Sequence, residues 1–204
     1  MVLPISTTSA RAGARVAAKP DRIIVIDVEA TCWEGEPPPG QETEIIEIGV
    51  CVLDVLSGER LAHESILVRP ERSQVSPFCT QLTTLTPERV ARGVTFDHAC
   101  RILRRKYGSG DRTWASYGDE DRRLFETQCA ARAVPYPFGP THLNVKALIA
   151  LLHGLPREIG LPRALDLLNL PVEGTRHRGV DDACNTARLL ASLILYHRGV
   201  LIPS

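Results

Sequence analysis

Lysine is scarce: the chain has it only at Lys19, Lys106 and Lys146, so arginine carries nearly all the positive charge. Arginine suits bidentate contacts to phosphate, although genomic composition produces the same bias. Net charge is missing altogether, because 24 Lys and Arg balance 24 Asp and Glu. A neutral chain has no global field to announce nucleic acid. Local patches rather than the total set the potential in a cleft, however, so a nucleic-acid enzyme is not excluded. No apolar run approaches the roughly 20 residues that span a bilayer, and no membrane partner is expected. Cys32, Cys51, Cys79, Cys100, Cys129 and Cys184 include no Cys-x-x-Cys pair, which argues against zinc held by thiolates and for a reduced, cytoplasmic protein. Internal repeats are absent, as is any linker that would divide the folded part. The 204 residues, 44% hydrophobic and 24% charged, suffice for one core. Residues 1–20 are rich in Ala, Ser and Arg and hold no acid. They are expected to be a disordered N-terminal extension rather than a targeting segment, leaving 21–200 as a single domain.

What is present begins with Ile23-Ile24-Val25-Ile26-Asp27-Val28-Glu29-Ala30-Thr31-Cys32-Trp33. Four consecutive β-branched residues, entered after Pro20, predict a strand buried on both faces and so central in a sheet. Side chains alternate across a strand, so Asp27 and Glu29 share one side and Val28 takes the other. Carboxylates held this close cannot both ionise cheaply unless a cation sits between them, which points to a hard divalent metal. An isolated Asp-x-Glu is more often a strand running out into a solvated turn, so the rest of the chain must supply context.

Glu34 to Gln41, with Pro37-Pro38-Pro39, can only be a loop. Glu44 to Asp54 reads as a strand with Ile46, Ile48, Val50 and Val52 on one face, and Ser57-Gly58 turns the chain into a return strand over Arg60 to Arg69. Ser76 to Glu88 predicts two short helices, the second capped by Thr86 with Pro87 at its first position. Further helices are expected over Phe96 to Lys106, Asp121 to Ala133, from Val145 to about Leu152, Arg163 to Leu168 and Val180 to Tyr196. Short strands are expected at Thr113 to Ser116 and His142 to Val145. A three-strand antiparallel meander followed by alternating helices and strands implies a mixed α/β sheet with helices on both faces.

Two further places offer acids. Asp119-Glu120-Asp121 lies between a strand and a helix, and three acids there exceed what capping needs. Asp121 is the chosen ligand, because Leu124 and Phe125 follow it at helical spacing, and Asp119 is read as a cap. Asp182 falls in the first turn of the last helix, and His177 lies five residues earlier in a glycine-containing loop. Asp182 can complete a four-carboxylate cage, and His177 has the near-neutral unperturbed pKa of a general base.

These blocks resemble a known family. Ile26-Asp27-Val28-Glu29-Ala30-Thr31-Cys32-Trp33, the Ser76-Pro77-Phe78-Cys79-Thr80 run, Gly118-Asp119-Glu120-Asp121 and His177-Arg178-Gly179-Val180-Asp181-Asp182-Ala183-Cys184-Asn185 closely resemble the DEDDh 3′-5′ exonucleases. Within these they are most similar to the Eri-type branch, 3′ exoribonucleases acting on histone mRNA and small RNA, and to its bacterial relatives. The match runs from about Arg22 to Tyr196. It implies a ribonuclease H-like fold and an exonuclease domain over 21–200. It further implies two Mg²⁺ or Mn²⁺ ions on Asp27, Glu29, Asp121 and Asp182, with His177 as base, and release of nucleoside 5′-monophosphates from a 3′ end bound near Glu29. Two features depart from the family: Thr84 stands where a Gly is usual, and the Pro37-Pro38-Pro39 loop is local to this chain.

The expected partner is the 3′ end of single-stranded RNA or DNA, with RNA preferred. Ala30 and Thr31 are candidates to contact the terminal nucleotide, Thr31 or the backbone beside it reading the 2′-hydroxyl. Trp33, Phe78 and Tyr117 are candidate stacking faces, each with a place in the core as its alternative. Without a separate nucleic-acid-binding module, weak binding and distributive cleavage are expected. Rival readings are a DNA exonuclease and a catalytically silent protein that uses the same fold to bind and regulate a partner.

Overall fold

The computed structural model describes residues 19–200; the expected N-terminal extension lies almost wholly outside them. Strands β1 (Lys19–Ala30), β2 (Ile45–Asp54) and β3 (Arg60–Leu67) form the antiparallel meander. Helices α1 (Pro77–Thr83), α2 (Pro87–Val90) and α3 (Phe96–Tyr107) follow, then β4 (Arg112–Ser116), α4 (Glu120–Arg132), β5 (His142–Asn144), α5 (Val145–Leu152), α6 (Leu161–Leu167) and α7 (Gly179–His197). The sheet order is β3-β2-β1-β4-β5, with β4 parallel to β1 and β5 parallel to β4. No helix among the described residues is long and apolar enough to cross a membrane.

The aliphatic run makes β1 central because both of its faces are covered. Ile24 and Ile26 join one core with Phe96 and Leu103 of α3, Phe125 of α4 and Trp114. Ile23 and Val25 join a second core with Val145, Ala164, Ala187 and Leu190 from α5, α6 and α7. Helix starts follow their capping residues: Ser76 accepts from the Cys79 N–H at 2.9 Å, and Thr86 and Thr95 cap α2 and α3 in the same way.

Two expectations need correction. β1 starts at Lys19 rather than after Pro20, because Lys19 donates its N–H to the Asp111 carbonyl at 2.9 Å and pairs with Arg112. Ile46 does not share a face with Ile48, Val50 and Val52. Glu29 pairs with Glu47 and Ala30 with Ile45, so Ile46 is the extra residue of a β-bulge. The bulge sends Ile46 into a small third cluster with Cys79, Leu85 and Val90, beneath α1 and α2. The cysteines, separate in sequence, are all free thiols that lie near one another in three pairs: Cys32 by Cys79, Cys51 by Cys184 and Cys100 by Cys129.

Candidate active site

Val28 packs against the first core, so its neighbours Asp27 and Glu29 point to the opposite side of β1, where α7 begins. Two glycines let α7 come that close. A Cβ on Gly49 would lie 1.9 Å from the Gly179 carbonyl carbon, and one on Gly179 would lie 3.0 Å from the Asp27 carbonyl oxygen. Asp182 is thereby delivered from the first turn of α7. Asp121 arrives from the first turn of α4, where its Oδ1 accepts a 2.9 Å hydrogen bond from the Val28 N–H.

His177 lies just before α7, and its backbone N–H donates to Asp182 Oδ2 at 2.9 Å. Glu29, His177 and Asp182 each present a ligand atom within 4.8 Å of the others. The charges are strained accordingly. Burial raises the Asp27 carboxyl well above the carboxylate range, and the charges of Asp121, Asp182, Glu29 and Glu47 add to it. Glu29 is pushed up to about 8, first by burial and then by Asp182, Glu47 and Asp121, with Arg178 opposing. Asp121 rises to about 6 through burial, held back by its bond from Val28. Asp182 rises by burial, against the His177 N–H. Four oxygen-donor acids, all raised by burial and two of them, Asp27 and Glu29, raised further by the charges of the others, fit a divalent cation, whose charge would oppose these shifts.

The surrounding positions divide. Trp33 is half-buried just beyond β1, and Phe78 is exposed on α1. That helix is tied to the strand end, since Ser76 Oγ donates to the Cys32 carbonyl at 2.6 Å and Cys79 Sγ to the Ala30 carbonyl at 3.4 Å. Tyr117 instead packs against the second core, and its hydroxyl donates to the Ile159 carbonyl at 2.8 Å.

Thr31 is a correction. It is fully buried, its hydroxyl donates to the Glu42 carbonyl at 3.1 Å, and it accepts from the Glu44 N–H at 2.9 Å. Its backbone N–H is also taken, by the Glu44 carbonyl at 2.8 Å. Thr31 therefore closes the loop between β1 and β2, with its hydroxyl and its N–H both engaged within the protein. Asp119 is a second correction: it occupies the N-cap position of α4 without capping it by its side chain. Its carboxylate accepts from Asn144 Nδ2 at 3.1 Å and lies 3.7 Å from His142 Nδ1, bracing β5 instead.

Sequence reasoning gave no role to Glu47 and Arg178. Glu47 is fully buried beside Glu29 and accepts from Arg178 Nη2 at 2.9 Å and Nε at 3.2 Å. A lone acid in the run Ile45-Ile46-Glu47-Ile48 was the available signal, since a charge in a buried strand requires a partner.

Known proteins resemble most of this chain. The family model RNase_T, described as an exonuclease, matches residues 24–190. The human 3′-5′ exoribonuclease 1 is 31% identical over 186 residues, covering 85% of this chain and 52% of the human protein. The Drosophila melanogaster 3′-5′ exonuclease Snipper is 25% identical over 215 residues, covering 94% of this chain and 76% of Snipper. Among solved structures, the nuclease domain of 3′hExo, a DEDDh family member bound to rAMP, superposes with a TM-score of 0.78. It is 30% identical, and the match covers 90% of this chain and 96% of that one. The chain spans about half the length of the human relative.

Proposed function

The chain belongs to the RNase_T exonuclease family, and on that premise we propose that it is a divalent-metal-dependent 3′-5′ exoribonuclease. It hydrolyses the 3′-terminal phosphodiester of single-stranded RNA and releases nucleoside 5′-monophosphates. In this reading Asp27, Glu29, Asp121 and Asp182 hold two ions of Mg²⁺ or Mn²⁺, and His177 is the general base. The observation that carries it is convergence: acids from β1, from the start of α4 and from the start of α7 gather beside one histidine, and all four are raised in pKa. Repelling acids drawn from three elements stabilise nothing by themselves, whereas they suit a cation.

When bound, the metal supplies Lewis-acid polarisation of the phosphate and neutralises charge on the leaving oxygen. His177 accepts the proton of the attacking water as general base. The backbone N–H groups of Val28 and His177 each hold one oxygen of Asp121 and Asp182, which fixes those carboxylates and leaves each a second oxygen for a ligand. Phe78 and Trp33 offer stacking faces to the terminal bases. The preference for RNA draws support from the exoribonuclease relatives and from the rAMP-bound nuclease domain. Six free thiols, five of them buried, fit a reducing, cytoplasmic compartment.

The test is incubation of the purified protein with 5′-labelled RNA and DNA of one sequence, in Mg²⁺, Mn²⁺ or EDTA. A ladder shortening from the 3′ end of RNA and abolished by EDTA is expected. An equal or faster ladder on DNA moves the assignment to a DNA exonuclease. Intact substrate in every lane, with folded protein, leaves the regulatory scaffold.

A further inference from the structure

Glu47 sits on β2, opposite Glu29 in the β1–β2 register, and is fully buried. A buried carboxylate persists only when its charge is paired and its lone pairs are filled. Those of Glu47 are filled from two directions. Ser65 of β3 donates its hydroxyl to Oε1. From the other side, Arg178 donates Nη2 to Oε1 at 2.9 Å and Nε to Oε2 at 3.2 Å, and the Gly179 N–H donates to Oε2 at 3.0 Å. Arg178 and Gly179 are the two residues that follow His177.

His177 itself has φ +57°, in the left-handed region. A residue with a Cβ stays there only where its surroundings over-determine the backbone. Here they do so on both sides: its own N–H is held by Asp182, and the next two residues are held by Glu47. Among the described residues no side chain hydrogen-bonds the imidazole, so the ring has no orienting partner of the kind a catalytic triad supplies. The held backbone fixes the Cα–Cβ direction from which the ring extends toward Glu29 and Asp182.

We propose that Glu47 and Arg178 are a positioning pair that holds the His177 peptide so that its ring meets the attacking water. The inference rests on the reading of His177 as general base. The pair touches neither substrate nor reacting atoms; it acts through the loop. Arginine is required at 178 because its planar fork matches the carboxylate with two parallel bonds, which a lysine cannot reproduce.

The experiment is a double-mutant cycle on the full chain, using an RNA oligomer under single-turnover and steady-state conditions in Mg²⁺. The variants are Glu47→Gln, Arg178→Lys, His177→Ala and the two doubles with His177→Ala, each checked for Tm. Glu47→Gln and Arg178→Lys are expected to lower kcat about 10–100-fold with KM unchanged, the size typical of a neighbour that orients a functional group. In the His177→Ala background the same changes are expected to cost less than about twofold, because there is no longer a base to misplace. Should Glu47→Gln fail to fold, Arg178→Lys, which keeps the charge, carries the cycle alone. A further loss in the doubles equal to that in the singles overturns the proposal, as do an unchanged kcat or a loss confined to KM or Tm. Near-wild-type turnover of His177→Ala overturns the base assignment and this proposal together. Lost turnover in His177→Ala with additive doubles overturns this proposal alone.

Discussion

Asp121 is fastened to the strand that carries two of the other acids: its Oδ1 accepts the Val28 N–H at 2.9 Å, midway between Asp27 and Glu29. Asp119, two residues earlier, is engaged with Asn144 and His142 instead. Asp121→Asn is therefore expected to abolish Mg²⁺-dependent turnover, exceeding the roughly 10–100-fold cost of disturbing a ligand's neighbour. Asp119→Asn should cost about 10-fold or less. Rate measurements on the two variants check this, and the opposite ranking would transfer the ligand role to Asp119.

Stability of the metal-free chain should fall with rising pH. Glu29 moves from an ordinary 4.5 up to about 8, and Asp121 from 3.8 up to about 6. Between about pH 4 and 8 the folded chain then binds more protons than the unfolded one, so folding is disfavoured as these acids ionise. Thermal unfolding in EDTA should give a Tm that declines from pH 5 to 8.5. Added Mg²⁺ or Mn²⁺ should raise Tm more at pH 8 than at pH 5, since only ionised carboxylates bind it. A flat profile in EDTA would count against the crowded-acid description.

Thr84 ends α1 with φ +62°, a left-handed conformation that is costly for a β-branched residue. Glycine takes it freely, and the Thr84 N–H bond to the Thr80 carbonyl at 2.8 Å does not involve the side chain. Thr84→Gly is expected to stabilise by about 1 kcal/mol after the greater entropy of an unfolded glycine is offset, raising Tm by about 2–4 °C. Denaturant and thermal melts decide it; a lower Tm would show that the threonine side chain contributes more than its backbone costs.

With Thr31 closed inside the β1–β2 loop, its side chain should have no say in sugar choice. Thr31→Val leaves the Glu44 N–H without its 2.9 Å acceptor, a loss of about 1–3 kcal/mol for a buried donor. The ratio of kcat/KM on RNA to that on DNA, measured on oligomers of one sequence at one salt concentration, should favour RNA and stay unchanged in the variant. A ratio that collapses with Thr31→Val would reinstate it as the 2′-hydroxyl reader.

Local rules made much of this protein legible without coordinates. Two-residue alternation put Asp27 and Glu29 together, a run of four β-branched residues placed their strand in the sheet's centre, and helical spacing set Asp182 at a helix start. Each depends on neighbours close in the chain, which is where the geometry of strands and helices acts. What alternation could not reveal was the bulge at Ile46, because a bulge is a property of two paired strands and reverses the parity that a single strand predicts. Nor could local pattern tell that Thr31 and Asp119 have their polar atoms engaged, or that Glu47 meets Arg178, 131 residues further on. A hydroxyl or carboxylate reads the same in sequence whether it faces a ligand or a backbone N–H. Only the tertiary structure, by bringing distant donors to it, decided which of these polar groups were already satisfied within the protein.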